Sequence, residues 1–221
     1  SVVLGETGAL AGMSAGAMFW DHTTASAQVE RELAKTAAEK GVAWVDAPVS
    51  GGQSGAENGT LTVLCGGDEL ACSVGRPIVM SYASAVTRMG DTGAGQLAKM
   101  VNQICIAGCV QGLAEAVAFG MNAGLDMEKV IDAIGREAAS SWQLVNRGKT
   151  MAEGKFDFGF AVDWMRKDLG IVMEEAERNG SQLPVTELVD RFYGEIQAEG
   201  GNRLDTSSLI LRLPRKAQKG S

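Results

Sequence analysis

Lys99, Asn102 and Gln103 fall within about one helical turn of an otherwise apolar stretch, Gly93-Ala94-Gly95-Gln96-Leu97-Ala98-Lys99-Met100-Val101-Asn102-Gln103. At spacings of three and four residues their side chains share neighbouring tracks of one helix face. Polar groups on so apolar a helix are costly to bury unless they are paired, which marks them as candidate site residues. Desolvation lowers the pKa of a lysine, and a lysine so tuned can exchange a proton with a substrate hydroxyl or carbonyl near neutral pH. A buried lysine satisfied by a carboxylate would read the same way.

A second candidate is Asp46-Ala47-Pro48-Val49-Ser50-Gly51-Gly52, a strand end running into a serine and two glycines. Glycines let backbone N–H groups approach a ligand, and Ser50 adds a hydroxyl, so the turn can hold a carboxylate or other anionic oxygen. As a bare pattern it is also an ordinary turn. A third is Trp164-Met165-Arg166-Lys167-Asp168-Leu169, with Phe156, Phe158 and Phe160 upstream. Lys167 there is either a cation that reaches a ligand or half of a solvated Lys/Asp face, and the phenylalanines read as packing.

These segments need elements to hold them. Strand patterns occur at Ala17 to Trp20, Ala43 to Val45, Leu61 to Leu64 and Ala85 to Arg88. Between the first two, Ser26 to Lys40 reads as a helix with Val29, Leu33 and Ala37 on its apolar face. Ser1-Val2-Val3-Leu4-Gly5 reads as the end of a strand, so the chain is expected to begin within a fold. From Gln96 to Asn122 runs a helix apolar on nearly all sides, expected to be buried in a core or between subunits. Helical stretches follow near Met127 to Gly135, Trp142 to Glu153, Val162 to Asn179 and Val185 to Gln197, with no strand pattern among them. The fold class is therefore α/β followed by all-α, with the division near Gly90 to Gly95.

Composition narrows the function. A chain of 221 residues with 45% hydrophobic and 21% charged residues is expected to fold as a globular protein. A net charge of -7 disfavours a broad nucleic-acid surface, and the basic cluster Arg212, Arg215, Lys216 and Lys219 reads as a solvated tail. No uninterrupted apolar run approaches the ~18 residues of a membrane span, and no export signal is evident. Cys65, Cys72, Cys105 and Cys109 do not form a disulfide framework, and reduced thiols in a cytoplasm are the simpler expectation. Cys105 and Cys109 share a helix face, but the one histidine, His22, lies far off in sequence, so no metal site is expected.

In this order the segments resemble the β-hydroxyacid dehydrogenase family, which includes 3-hydroxyisobutyrate dehydrogenases and tartronate semialdehyde reductases. The signposts are Asp21-His22-Thr23-Thr24, the Asp46 to Gly52 turn, Gly59-Thr60-Leu61, Gly66-Gly67-Asp68, the Gly93 to Gln103 run, Lys167-Asp168-Leu169 and Asp205-Thr206-Ser207-Ser208. The resemblance implies the later part of a Rossmann-type NAD(P)-binding domain over 1–92 and a helical domain over 93–213 entered through a long interdomain helix. A basic flexible tail over 214–221 completes the expected organisation. It further implies Lys99 as catalytic acid/base, and Ser50, Gly51 and Gly52, with Asn102 and Gln103, as substrate-binding. Thr24 is implied beside the nicotinamide and Lys167 near cofactor and substrate. The implied ligands are NAD or NADP and a small hydroxy acid or semialdehyde, and the implied assembly is a homodimer or homotetramer. Gln103 departs from the asparagine many members carry, tilting substrate choice away from hydroxyisobutyrate.

Another departure is the absence of a complete strand leading into Gly-x-Gly-x-x-Gly, because Gly5, Gly8, Gly12 and Gly16 do not fit that spacing. The expectation is a truncated chain that binds cofactor poorly and is inactive alone. A non-catalytic oligomerisation module of the same family is the alternative, for which Lys99 would have no use. An imine reductase on this fold usually replaces the lysine, and a serine hydrolase would need a base and a nucleophile elbow that are not evident.

Overall fold

The computed structural model describes residues 2–214, so residues 215–221, with the basic Arg215, Lys216 and Lys219, lie outside the described residues, and of the tail expected over 214–221 only Pro214 is within them. The chain divides into two compact units, Ser1–Val101 and Asn102–Ser221.

The first unit is mixed α/β. Strand β1 (Met18–Asp21) leads to helix α1 (Ala27–Glu39), whose N-cap Ser26 accepts a hydrogen bond from the Val29 N–H. Strand β2 (Ala43–Asp46) then pairs parallel with β1. A short strand β3 (Val49–Ser50) and a six-residue helix α2 (Gly52–Glu57) precede β4 (Leu61–Gly67). Asp68 caps α3 (Glu69–Val79) through the Ala71 N–H, and β5 (Ala83–Gly90) closes the unit's sheet. Strand β4 is antiparallel to β2 at its Gly66–Gly67 end and to β3 at Thr62–Val63, while β5 lies parallel to it from Leu61 to Gly66. Because β5 runs along that length, β2 and β3 share the opposite edge of β4. The core is Val45, Ala47, Val63, Cys65, Cys72 and Val79, with a smaller cluster of Val3, Leu10, Ala37, Val42 and Trp44.

Two expectations are corrected here. Residues 2–5 are not strand: the Val2 and Val3 carbonyls accept from the Ala9 and Leu10 N–H groups and so close a turn onto the following 3-10 helix. On α1, Val29 is 43% exposed, and Glu30 turns inward beside Ala27 and Ala37 because the Trp44 indole N–H reaches its carboxylate. Helix α3 carries Gly75 and Pro77, residues that disguise a helix in sequence. Gly75 is there for space: a Cβ at that position would sit 2.4 Å from the Trp20 ring.

Helix α4 (Ala94–Asn122) begins in the first unit and continues into the second. The second unit is otherwise α5 (Met127–Ile134), α6 (Trp142–Glu153), α7 (Val162–Asn179) and α8 (Pro184–Ala198), followed by a 3-10 helix over Thr206–Arg212. Asp126 and Ser141 cap α5 and α6, and left-handed Gly154 and Gly180 end α6 and α7. Its core joins Val110, Ala114 and Val117 of α4 to Met165, Leu169, Val189, Tyr193 and Leu209. Asp205 ties the segments ahead of α7 and of the 3-10 helix by accepting from the Phe160 and Ser207 N–H groups. Within the chain α4 is not buried all round, since Val101 is 62% and Phe119 74% exposed, which leaves burial between subunits as the part of the expectation that would cover them. Counted as a whole helix, α4 is long and apolar enough to cross a membrane, a property shared by core helices.

Replacing Gly75 by alanine forces the Trp20 indole to move and is expected to cost about 2 kcal/mol by overpacking. Gly170, on α7 with open space around it, is the control: Gly170→Ala is expected to stabilise by about 0.5–1 kcal/mol through helix propensity. Urea unfolding of both variants checks the pair, and equal effects would contradict the packing described.

Candidate active site

The α4 N-terminus is fixed by a buried carboxylate. Asp46, the last residue of β2, accepts from the Gly93 N–H at 2.6 Å with Oδ1 and from the Gln96 N–H at 2.9 Å with Oδ2. These are first-turn donors left unpaired by any helix, and a carboxylate there also complements the helix dipole. The approach demands glycines: a Cβ on Gly66 would lie 2.6 Å from Oδ1, and one on Gly95 would lie 2.8 Å from Oδ2. Burial raises the Asp46 pKa, and the N–H bonds from Gly93 and Gln96 oppose that shift. Gly93-Ala94-Gly95-Gln96-Leu97-Ala98 has the spacing of a phosphate-cradling turn between β5 and α4, but here Asp46 occupies the anion position.

Gln96 is itself fully buried and bonded at every polar atom of its side chain. Its Nε2 donates to the Thr23 carbonyl at 2.7 Å and to Glu30 Oε1 at 2.9 Å, while Oε1 accepts from the Ala25 N–H at 3.1 Å. Glu30 Oε2 accepts from the Trp44 indole at 2.8 Å. Burial pushes the Glu30 carboxyl up to about 7, with the Trp44 bond opposing and Asp21 and Asp46 adding repulsion. Thr24 therefore lies between two residues whose backbones Gln96 holds.

The turn after β2 is held from two sides. His22 Nδ1 donates to the Ala47 carbonyl at 2.6 Å, and its Nε2 pairs with the Tyr82 hydroxyl at 2.7 Å. Lys99, 7% exposed, donates from Nζ to the Val49 carbonyl at 3.0 Å. Ser50 ends β3, and Gly51 and Gly52 follow at φ values of +126° and +61°, a conformation that favours glycine. The structure thus brings Lys99 to the strand that ends in Ser50.

In the second unit Gln103 is buried and donates from Nε2 to Asp168 Oδ2 at 2.6 Å, while its Oε1 accepts from Asn102 Nδ2 at 2.9 Å. The Lys167 ammonium stands 2.9 Å from Asp168 Oδ1. Asp168 therefore joins Gln103 to Lys167, bringing together three of the residues singled out from sequence. Among the described residues no cluster of His, Cys, Asp and Glu could hold a metal. All four cysteines are free, and burial pushes the Cys65 thiol up to about 12.

Sequence reasoning passed over Glu30, Asp46, Gln96 and Asp168 as site residues. Asp46 and Asp168 stood inside quoted motifs, and Gln96 was a polar residue in the same apolar run as Lys99. Glu30 gave no signal, because a glutamate on an amphipathic helix reads as solvated.

Family models match both parts of the chain: one described as the NAD binding domain of 6-phosphogluconate dehydrogenase over residues 1–90, and one described as NAD-binding of NADP-dependent 3-hydroxyisobutyrate dehydrogenase over residues 93–213. An uncharacterized oxidoreductase of Shewanella frigidimarina is 60% identical over 212 residues, covering 96% of this chain and 73% of that protein. The 2-hydroxy-3-oxopropionate reductase of Escherichia coli is 32% identical, with coverages of 96% and 73%. The crystal structure of 3-hydroxyisobutyrate dehydrogenase from Salmonella typhimurium superposes with a TM-score of 0.84 at 30% identity, over 93% of this chain and 73% of that one. The folds and matches define an NAD(P)-dependent oxidoreductase class of protein. Within it, the chain belongs to the β-hydroxyacid dehydrogenase family.

The Glu30 carboxyl gives a pH test. Its folded pKa of about 7 lies above the ordinary 4.5, so between those values the folded chain keeps a proton that the unfolded chain has lost. Stability from this group is complete below pH 4.5 and is lost as pH rises to about 7. Relative to Glu30→Gln, the native protein should lose up to roughly 3 kcal/mol across that window, read by urea titrations at several pH values. A stability difference that stays constant with pH would contradict the buried, titrating Glu30.

Proposed function

We propose that the protein moves a hydride between NAD or NADP and a small β-hydroxy acid or its semialdehyde, of the 3-hydroxyisobutyrate or tartronate semialdehyde type. The observation that carries this reading is the buried Lys99 ammonium donating to the Val49 carbonyl, one residue before Ser50-Gly51-Gly52. The Ser50 hydroxyl and the Gly51 and Gly52 N–H groups bind the substrate carboxylate. Lys99 accepts the hydroxyl proton during oxidation and returns it during reduction. Asn102 and Gln103 orient the substrate, with Gln103 favouring the tartronate semialdehyde type. A bound nicotinamide supplies or takes up the hydride.

The residues present suit the nicotinamide end of that cofactor. Thr24 follows the carboxyl end of β1, where ligands gather in α/β sheets, and the resemblance assigns Lys167 to the cofactor as well. The pyrophosphate end is less well served by the described residues, where the glycine spacing of a phosphate-cradling turn, Gly93 to Ala98, holds the Asp46 carboxylate instead. The 221-residue chain by itself is therefore expected to bind NAD(H) and NADP(H) weakly and to turn over no substrate appreciably. Calorimetry that finds micromolar binding to this polypeptide would overturn the expectation.

A homodimer or homotetramer is part of the proposal, supported by the exposed Val101 and Phe119 on α4, and a cytoplasmic setting fits four free thiols. A non-catalytic assembly module would show the same exposed face, so Lys99 decides between the two. In a form that carries both these residues and a pyrophosphate-binding segment, Lys99→Ala should lower kcat by roughly a hundredfold to ten-thousandfold. Retention of the parent rate on a panel of hydroxy acids would remove Lys99 from the mechanism.

A further inference from the structure

We propose that Gln96 is a positioning residue that locks the Thr23–Ala25 segment onto the first turn of the helix carrying Lys99, with Glu30 as its anchor. The inference rests on the roles proposed above for Thr24 and Lys99. Gln96 donates to a carbonyl on one side of Thr24 and accepts from an N–H on the other, at 2.7 and 3.1 Å. A neutral amide does both, whereas an ionised glutamate could not donate to Thr23 and a lysine could not accept from Ala25. Asparagine would be shorter by a methylene. The remaining Nε2 hydrogen goes to Glu30, and the Gln96 main chain is pinned to Asp46. Its side chain therefore has one arrangement that satisfies every buried group, and three residues further along the same helix stands Lys99.

Glu30 is suited to be the anchor because, when ionised, both its oxygens accept, one from Trp44 on β2 and one from Gln96 on α4. The carboxylates of Asp21 on β1 and Asp46 on β2 face it and disfavour its ionised form, together with burial. The bonds from Trp44 and Gln96 work in the opposite direction. The network joins β1's following loop, α1, β2 and the start of α4 without any exposed member among Glu30, Asp46 and Gln96. A change confined to Gln96 should loosen the segment around Thr24 and leave the sheet intact.

Amide hydrogen exchange on the 221-residue chain tests this directly. In Gln96→Leu the Ala25 amide should exchange at least tenfold faster, with amides of β4 and the centre of α4 at native rates. Unchanged protection at Ala25, or acceleration spread evenly through the first unit, would overturn the proposal. If Gln96→Leu does not fold, Glu30→Gln serves as the second variant. It weakens the anchor and should speed Ala25 exchange at least threefold, and no change there overturns the proposal. In the form that also carries a pyrophosphate-binding segment, Gln96→Leu should raise the cofactor KM about tenfold while leaving the hydroxy-acid KM near its parent value. Equal changes in both would mean a general structural role and overturn positioning. Lys99→Ala activity is read separately, so a failed dehydrogenase reading with local Ala25 loosening is distinguishable from a failed positioning role.

Discussion

The rest of the first unit depends on one interaction, the Asp46 carboxylate set across the first turn of α4. A carboxylate removed from water at the end of β2 is tolerated because two helix N–H groups point at it from 2.6 and 2.9 Å. Each partner supplies what the other lacks, since the helix start has unpaired donors and the acid has unpaired lone pairs. That bond pair sets where α4 leaves the sheet, and so sets where Lys99 meets the Val49 carbonyl. It also explains why Gly66 and Gly95 have no side chain, because any Cβ would enter the space of the carboxylate.

Around this bond the buried polar groups form one connected set rather than isolated pairs. Glu30, Trp44, Gln96, Asp46 and the backbone of Thr23 and Ala25 satisfy one another. A partly satisfied network at this depth would be worse than an apolar core, because each unpaired member carries its full desolvation cost. Full satisfaction has a structural corollary: such groups have few alternative arrangements, so the loop after β1 and the start of α4 hold one relation to each other. Sites that move protons and hydrides need that fixity more than they need net stability.

Much of this was legible in sequence wherever a single element decides its own state. Helix α6 begins and ends where Ser141 and Gly154 say it should, and α7 ends where Gly180 does, because caps are local chemistry. Strands β1, β2, β4 and β5 stand out as short apolar runs. Other features were hidden because they depend on distant partners. Strand β3 has two residues and exists only because β4 lies beside it. Helix α3 contains Gly75 and Pro77, one answering to Trp20 and neither a helix former. Glu30 is inward rather than Val29 because its carboxylate accepts from an indole 14 residues away and from the Gln96 amide. The lysine and the serine-glycine turn were visible as residue types, whereas the acids and the amide that position them were not.

The second unit shows the same rule on a smaller scale. Gln103, which by resemblance takes the place of an asparagine, has its amide engaged at both ends, by Asp168 and by Asn102. The donor to Asp168 fixes which way the amide faces: its NH₂ meets a carboxylate, so its oxygen must face Asn102. Asp168, buried beside the Lys167 ammonium, keeps that orientation because a carboxylate can only accept from the amide. A longer side chain than asparagine thus does not imply a looser one. The extra methylene carries the amide to a partner that holds it, the buried Asp168 carboxylate.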